Sequence, residues 1–140
     1  MVRTLNDIAS KVDMVLPGEG EGDILCGSSD PKKINEFYLN NGASCVITKC
    51  GPKGAFCSTR DGEIKVAGFI IDKVVDTVGA GDGFAAGVLS AHMEGLPLEK
   101  AVERGCAIGA IQCTFTGDNE GLPTPEELEK FIASHKRCVF

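Results

Sequence analysis

Apolar residues in this chain follow two spacings, one typical of amphipathic helices and one typical of buried strands. Helical spacing recurs in five segments, and short continuous or alternating apolar runs lie between them. The pattern predicts helices at residues 5–11, 31–39, 81–93, 98–113 and from 125 onward, and strands at residues 14–16, 44–48, 55–59, 63–67 and 70–75.

Residues that begin helices or form turns support these boundaries. Thr4 and Asp30 are N-cap residues for the first two helices, and Thr124 with Glu127 forms a capping box for the last. Asp61-Gly62 predicts a β-hairpin between two strands. Because strands and helices alternate around one hairpin, the fold class is α/β with a mixed sheet.

The composition narrows the function classes. The chain has 140 residues, 43% of them hydrophobic, and a net charge of -6. No basic cluster for nucleic acid and no apolar run long enough for a membrane span is present. The seven cysteines form no C-x-x-C pair, so we expect no zinc site and a reducing, cytoplasmic location. His135 begins a His-Lys-Arg segment that reads as a solvated tail.

Two segments carry candidate chemistry. Residues 17–23 break the pattern with alternating glycine and acidic residues, which predicts either a flexible acidic loop or a cation site. Residues 76–87, DTVGAGDGFAAG, lie between a predicted strand and a predicted helix. In open α/β sheets, ligands bind at such turns, and the unpaired N–H groups of the first helical turn favour an anion.

Within the second segment, Asp82 is the residue that indicates which chemistry the turn could support. The helix dipole stabilises a carboxylate in the first turn, and a carboxylate beside an anion-binding turn is suited to take a proton from an attacking hydroxyl. A simple helix-capping role is equally compatible with the spacing. The recurrence of Gly79, Gly83 and Gly87 every four residues also indicates close helix packing. Neither a Walker lysine nor a complete G-x-G-x-x-G motif is present.

These residues resemble the C-terminal signature of the ribokinase-like, or pfkB, carbohydrate kinases. The signature is matched by Asp76-Thr77-x-Gly79-Ala80-Gly81-Asp82 followed by residues 86–89. The strand and turn at residues 46–55 and the segment from Met14 to Glu21 are similar to further parts of the family, and its late helix corresponds to residues 98–113. Within the family, the resemblance is nearest to the 2-keto-3-deoxygluconate kinase and fructokinase groups.

The resemblance implies a three-layer ribokinase-like fold, with a mixed, mostly parallel sheet flanked by helices. It also implies ATP-dependent phosphorylation of a sugar or sugar-acid hydroxyl. It implies magnesium and a monovalent cation such as K⁺ as further ligands. Asp82 would be the catalytic base, and the amides of Gly79, Ala80 and Gly81 the anion hole. The other implied site residues are Lys49, Gly51, Gly54, Cys106 and Gly109 for the nucleotide, Glu21 for magnesium and Asp76 for the monovalent cation.

Three departures from the family pattern keep an alternative open. Gly18 stands where the family usually has Asn or Ser, and Cys106 stands where an Asn is common. Family members are also about twice this length, so residues 1–140 correspond to the C-terminal, ATP-binding half, without the sugar-binding and lid half. We therefore expect an enzyme that is incomplete alone, completed by that missing half or by oligomerisation. The alternative is a non-catalytic nucleotide-binding or interaction module.

Overall fold

The computed structural model describes all residues from Met1 to Phe140. They form two compact units, the first made of Met1–Gly51 and Ala55–Lys65, the second of Pro52–Gly54 and Val66–Phe140. In chain order the elements are α1 (Val2–Ala9), β1 (Met14–Val15), α2 (Glu19–Cys26), α3 (Pro31–Asn40), β2 (Cys45–Lys49), a 3₁₀ turn (Gly51–Lys53), β3 (Gly54–Thr59), β4 (Gly62–Ala67), α4 (Ala80–Met93), α5 (Leu98–Gln112) and α6 (Pro125–Ser134).

The four strands form one sheet in the order β1-β2-β3-β4. β1 runs parallel to β2, and β2 runs antiparallel to β3 with Ile47 opposite Cys57. The predicted α/β class, the mixed sheet and the hairpin are confirmed. The prediction that most strand pairs are parallel is wrong for this chain, because the hairpin supplies two of the four strands.

The predicted strand at residues 70–75 is also absent. Ile70, Val74 and Val75 are half exposed, and the segment makes only scattered main-chain bonds, among them one from the Ile70 N–H to the Lys136 carbonyl. A β-rich composition does not make a strand where no neighbouring strand offers a ladder of hydrogen bonds. The glycine-rich turn that follows is therefore preceded by an extended connection rather than by a strand.

Two secondary-structure predictions near the N-terminus are wrong. The acidic segment at residues 17–23 is largely helical, because Gly18 is the N-cap of α2 and the Glu21 carboxylate accepts a hydrogen bond from the Gly18 N–H. This local bond outweighs the low helix propensity of the glycines. Likewise α1 begins at Val2 with Met1 as its N-cap, and Thr4 lies inside the helix. The predicted caps of α3 and α6, Asp30 and Thr124, are confirmed.

The core of the first unit lies between α3 and β2. Ile34, Tyr38 and Val46 are almost fully buried there. Asn35, also fully buried, makes the polar contacts of this core. Its Nδ2 donates to the carbonyls of Val46 (3.3 Å) and Phe56 (3.0 Å) and to Ser58 Oγ (2.9 Å), and its Oδ1 accepts from Thr48 Oγ1 at 2.6 Å.

The second unit is built on the close packing of α4 against α5. A Cβ at Gly87 would lie 2.8 Å from the Cα of Gly105, and a Cβ at Gly105 would lie 2.9 Å from the Phe84 carbonyl oxygen. Val88 and Val102 are fully buried beside this contact. The small-residue stripe predicted from the sequence is thus a packing surface, as expected.

No helix of the chain is both long and apolar enough to cross a membrane.

The C-terminal segment is part of the second unit rather than the solvated tail that the sequence suggested. The Cys138 N–H donates to the Gly68 carbonyl at 2.8 Å. The guanidinium of Arg137 donates to the Ala67 carbonyl and to Glu103 of α5, and its Cζ lies 4.1 Å from the centroid of the Phe69 ring. The Arg137 side chain thereby connects the C-terminal segment to the segment at residues 67–69 and to α5.

Replacing Asn35 tests the polar core of the first unit. Asn35→Ala removes a bonding partner from the Thr48 and Ser58 hydroxyls and from two carbonyls, so we expect roughly 2–3 kcal/mol less stability in urea unfolding. Asn41→Ala is the control, because Asn41 makes an exposed side-chain bond to Phe37, and we expect a change within about 0.5 kcal/mol. Equal losses in the two variants would contradict the assignment.

Two glycine-to-alanine changes test the α4–α5 contact. Gly87→Ala forces a methyl group against the main chain of Gly105, which we expect to cost about 1–3 kcal/mol by overpacking. A Cβ added at Gly20 in α2 would have nothing within 4 Å, so Gly20→Ala should stabilise the protein by roughly 0.5–1 kcal/mol. Thermal or urea unfolding measures both, and a neutral Gly87→Ala would refute the tight contact.

Candidate functional site

The N-terminus of α4 has the geometry of an anion site. Gly79 is the N-cap residue, with a left-handed backbone (φ 76°), and no side chain caps the helix. A Cβ at this position would collide with the main chain of Asp118, 2.7 Å from its Cα. Position 79 therefore requires glycine for two reasons: the backbone angle and the close approach of the loop that contains Asp118.

The first turn of α4 leaves donor groups available. The Ala80 N–H bonds to the Thr77 carbonyl at 3.3 Å and the Gly83 N–H to the Gly79 carbonyl at 2.8 Å. Between them, the N–H groups of Gly81 and Asp82 precede the first helical carbonyl that could accept them. Uncapped first-turn amides carry partial positive charge and favour an anion.

Asp82 lies in this first turn with an exposed side chain. Its carboxylate makes no hydrogen bond and no ion pair within the chain. It is therefore not a helix-capping residue, which removes the plainer of the two interpretations that the sequence left open. A carboxylate with no structural partner remains available to a ligand or a reacting group.

Asp76 is engaged by the main chain on both oxygens. Its Oδ1 accepts from the Val78 N–H at 3.1 Å and its Oδ2 from the Gly117 N–H at 3.4 Å. These backbone hydrogen bonds, that of Val78 first, lower the pKa of the Asp76 carboxyl. Nearby, burial and then the Asp76 charge raise the pKa of the Cys113 thiol. Asp76 thus joins the turn before α4 to the loop that follows α5.

That loop, Gly117 to Gly121, was missed by the sequence analysis, as was the residue that holds it. Gln112, the last residue of α5, is fully buried and bonds to the main chain at both ends of the loop. One signal could have revealed it, since Gln112 follows Gly109 by three positions and so lies on the buried stripe of α5. A polar residue on such a stripe needs a polar partner.

The second predicted turn, between β2 and β3, is divided between the two units. Gly51 belongs to the first and has a left-handed backbone (φ 55°), exposed and without neighbours at its missing Cβ. Gly54 belongs to the second, is buried and has φ 120°. A Cβ there would lie 2.5 Å from the Gly68 nitrogen. Glycine at position 54 is therefore required by both its backbone angle and its packing, and a nucleotide contact remains a prediction.

Glu21 and Lys49 lie together in the first unit. Lys49 Nζ is 3.8 Å from Glu21 Oε2, the oxygen that also caps α2. The Lys49 N–H bonds to the Pro17 carbonyl at 2.8 Å, which fixes this end of β2 beside the start of α2. The lysine side chain is 27% exposed, and its contact with a nucleotide remains a prediction.

Cys106 and Gly109 occupy the same face of α5. Cys106 is 8% exposed, and its side chain has contacts within the protein. A Cβ at Gly109 would lie 3.1 Å from the Ala80 carbonyl oxygen, so Gly109 lets α5 approach the first turn of α4. Both residues have a packing role, and their predicted place beside a nucleotide stays a prediction.

The predicted residues fit the phosphates of a nucleotide better than they fit a metal ion. In the second unit, Asp76 and the turn from Gly79 to Asp82 come together at one helix end with available amides. No group of three or more His, Cys, Asp or Glu side chains is arranged to hold a metal. A magnesium ion bound mainly through phosphate oxygens and one carboxylate remains compatible with this arrangement.

Comparison with known proteins gives consistent results. Residues 1–125 match the model of the pfkB family of carbohydrate kinases. The chain is 47% identical to the 2-dehydro-3-deoxygluconokinase of Bacillus subtilis over 136 residues, which cover 97% of this chain and 42% of that protein. It therefore spans about two fifths of the length of this curated relative.

Solved structures agree in fold. A PfkB protein from Polaromonas sp. is 42% identical with a TM-score of 0.77, over 92% of this chain and 40% of that one. An E. coli protein assigned as ribokinase II, solved with ATP and Mg²⁺, is 29% identical with a TM-score of 0.87, over 95% of this chain and 43% of that one. The chain has a ribokinase-like α/β fold and belongs to the pfkB family of carbohydrate kinases.

Proposed function

We propose that this chain supplies the nucleotide site, the anion hole and the catalytic base for ATP-dependent phosphorylation of a sugar or sugar-acid hydroxyl. The observation that carries the proposal is the N-terminus of α4. There an uncapped helix end and a carboxylate without any internal partner lie within one turn. Phosphoryl transfer needs positioning, charge stabilisation and a base, and this turn offers all three.

The chain's own groups have distinct parts in the reaction. When bound, ATP with magnesium supplies the phosphoryl group that the hydroxyl receives. The amides of Gly79, Ala80 and Gly81 donate hydrogen bonds to oxygens that gain negative charge during transfer. The Ala80 amide, which bonds to the Thr77 carbonyl at 3.3 Å, would share its hydrogen between that carbonyl and the phosphoryl oxygen. The Asp82 carboxylate accepts the hydroxyl proton as the new O–P bond forms and the bond between the transferred phosphorus and the oxygen of the departing ADP breaks.

The cation assignments rest on carboxylates with known partners. Glu21 is the candidate for magnesium, and Lys49 and Gly51, which lie in the same unit, are candidates for the nucleotide. Glu21 retains one carboxylate oxygen that is not engaged by Gly18 or Lys49. Asp76 is the candidate ligand of a monovalent cation such as K⁺. Its two main-chain bonds mean that a cation there would add to an existing loop contact.

The substrate class follows from the relatives rather than from contacts in this chain. The B. subtilis relative acts on 2-dehydro-3-deoxygluconate by its name, and a Geobacillus thermodenitrificans relative, 30% identical, is a 5-dehydro-2-deoxygluconokinase. Both names describe deoxy sugar acids that carry a keto group. We propose a substrate of that class, bound mainly by the three fifths of the relatives' length to which this chain does not correspond.

Asp82→Asn tests the catalytic base. The variant removes the proton acceptor but no internal contact, so stability and ATP affinity should stay close to the wild-type values. Phosphorylation should fall by about 10²–10⁴-fold. We would measure ADP release with 2-dehydro-3-deoxygluconate, using a chimera in which the N-terminal three fifths of the B. subtilis relative precedes Met1.

The same experiment separates the alternatives. Asp61→Asn, an exposed carboxylate at the hairpin tip, is the control and should leave the rate unchanged. Raised melting temperature of the isolated chain with ATP and magnesium would show nucleotide binding, and no shift at millimolar ATP would contradict it. A chimera that binds ATP but phosphorylates no sugar acid would favour the non-catalytic nucleotide-binding module.

The lowered pKa of Asp76 predicts a pH dependence of stability. The pKa of Asp76 is lower in the folded than in the unfolded chain. The ionised carboxylate therefore stabilises the fold at pH values above 3.8, the ordinary pKa of an Asp side chain, and this contribution is lost as the pH falls below that value toward the folded-state pKa. Asp76→Asn should therefore be less stable than wild type at pH 7, and the difference should shrink toward pH 3.

Urea unfolding across that pH range measures this effect. Asp72→Asn is the control, since Asp72 is exposed and makes no hydrogen bond or ion pair. Its unfolding curves should run parallel to those of the wild type. A constant gap between Asp76→Asn and wild type from pH 7 to pH 3 would show that the main-chain bonds to Asp76 do not depend on its charge.

A further inference from the structure

Gln112 is buried in a stripe of α5 whose other residues are small or apolar. Its carboxamide makes hydrogen bonds to a single loop. Its Nε2 donates to the Gly117 carbonyl at 2.8 Å, and its Oε1 accepts from the Gly121 N–H at 3.2 Å. Burying a carboxamide is costly unless both ends are bonded. Here both bonds go to the main chain of the loop from Gly117 to Gly121.

That loop forms one side of the α4 N-terminus. The missing Cβ of Gly79 points at the Asp118 main chain, 2.7 Å from its Cα and 2.8 Å from its carbonyl carbon. The loop backbone therefore lies in contact with the residue whose left-handed conformation begins α4. A shift of the loop would change the space around Gly79 and, with it, the direction of the first-turn amides.

Few other groups fix this loop. From outside it, only Gln112 and Asp76 reach its main chain with side-chain hydrogen bonds, and Asp76 contacts Gly117 alone, at 3.4 Å. Within it, the Asn119 N–H bonds to the neighbouring Glu120 carboxylate, which holds the loop to nothing else. Gln112 is thus the only side chain that holds both ends of the loop.

We propose that Gln112 is a positioning residue for the anion hole. It holds the Gly117–Gly121 main chain against Gly79 and so keeps the amides of Gly79, Ala80 and Gly81 aimed at the phosphoryl group to be transferred. The inference rests on the proposed function, and it assigns to the buried end of α5 a role in phosphate recognition. Gln112 itself touches no ligand.

The test measures preference for ATP over ADP in the full chain. The two nucleotides differ by the phosphoryl group that the anion hole should hold, so the ratio of their dissociation constants, each with magnesium, reports that contact. Gln112→Met keeps a similar volume and removes both loop bonds. We expect the ATP preference to fall by about tenfold, the loss of roughly one hydrogen bond to a charged group.

A matched destabilised variant separates positioning from simple stability. Val102→Ala opens a cavity at a fully buried site of the same helix without touching the loop. It should lower the melting temperature as Gln112→Met does but leave the ATP preference unchanged. All affinities are measured by calorimetry well below the lowest melting temperature. Gln112→Glu keeps the acceptor for the Gly121 N–H but sets a carboxylate oxygen against the Gly117 carbonyl. Because these two oxygens repel each other, the ATP preference of this variant should fall at least as far as that of Gln112→Met.

The outcomes are distinct. An unchanged ATP preference in Gln112→Met overturns the inference and leaves the proposed function standing. If Gln112→Met does not fold, Gln112→Glu carries the test, and an unchanged preference in it has the same meaning. A wild-type chain that binds neither ATP nor ADP overturns the proposed function, and the inference falls with it.

Discussion

The close contact between α4 and α5 is the constraint on which the candidate site depends. The two helices approach until main chain meets main chain, with Gly87 against Gly105 and Gly109 against the Ala80 carbonyl. Dispersion forces at such distances are short-ranged and lose much of their strength over a fraction of an ångström. The first turn of α4 is consequently held in place by packing along the whole helix behind it.

This arrangement explains how an uncapped helix end persists. Orphan amides at a helix N-terminus are usually satisfied by a capping side chain, and α4 has none. Its position is instead set by α5 and by the loop from Gly117 to Gly121, which Gln112 and Asp76 secure from two sides. The N–H groups of Gly81 and Asp82 therefore stay oriented without an acceptor inside the chain, while that of Ala80 bonds to the Thr77 carbonyl, and oriented donors are what an anion-binding group requires.

Sequence reasoning predicted this part of the molecule well where the signal was local. The α/β class, the hairpin, the helices α3 to α6 and the glycine packing stripe all follow from short-range patterns or from a motif, as does membership in the pfkB family. Sequence reasoning failed where the secondary structure depends on a long-range strand partner or on a single hydrogen bond. The expected strand at residues 70–75 has no ladder partner, and one carboxylate, that of Glu21, turns an acidic glycine-rich stretch into α2.

Other features lay beyond what one sequence can show. Asp76 accepts from the main chain of Gly117, forty-one residues away, and Gln112 bonds to the main chain of Gly117 and Gly121. The sequence does not identify such main-chain partners, even where, as for Gln112, it can indicate that a polar residue is buried. The same holds for Arg137, whose contact with the Ala67 carbonyl turned a tail of apparently solvated charges into a folded segment. Local patterns thus predict elements, while contacts made through the backbone decide how loops are held.

Gly79 and Asp82 stand three residues apart and differ in how selection would act on them. A side chain at Gly79 would collide with the main chain of Asp118, so folding alone would eliminate most variants there, whether or not the gene product still worked. Asp82 has no hydrogen-bond or ion-pair partner within the chain, so its contribution to folding is limited to the attraction between a first-turn carboxylate and the helix dipole. Under the proposed function, an intact Asp82 among descendants of this gene would record chemistry still in use, whereas an intact Gly79 would record only that the protein still folds.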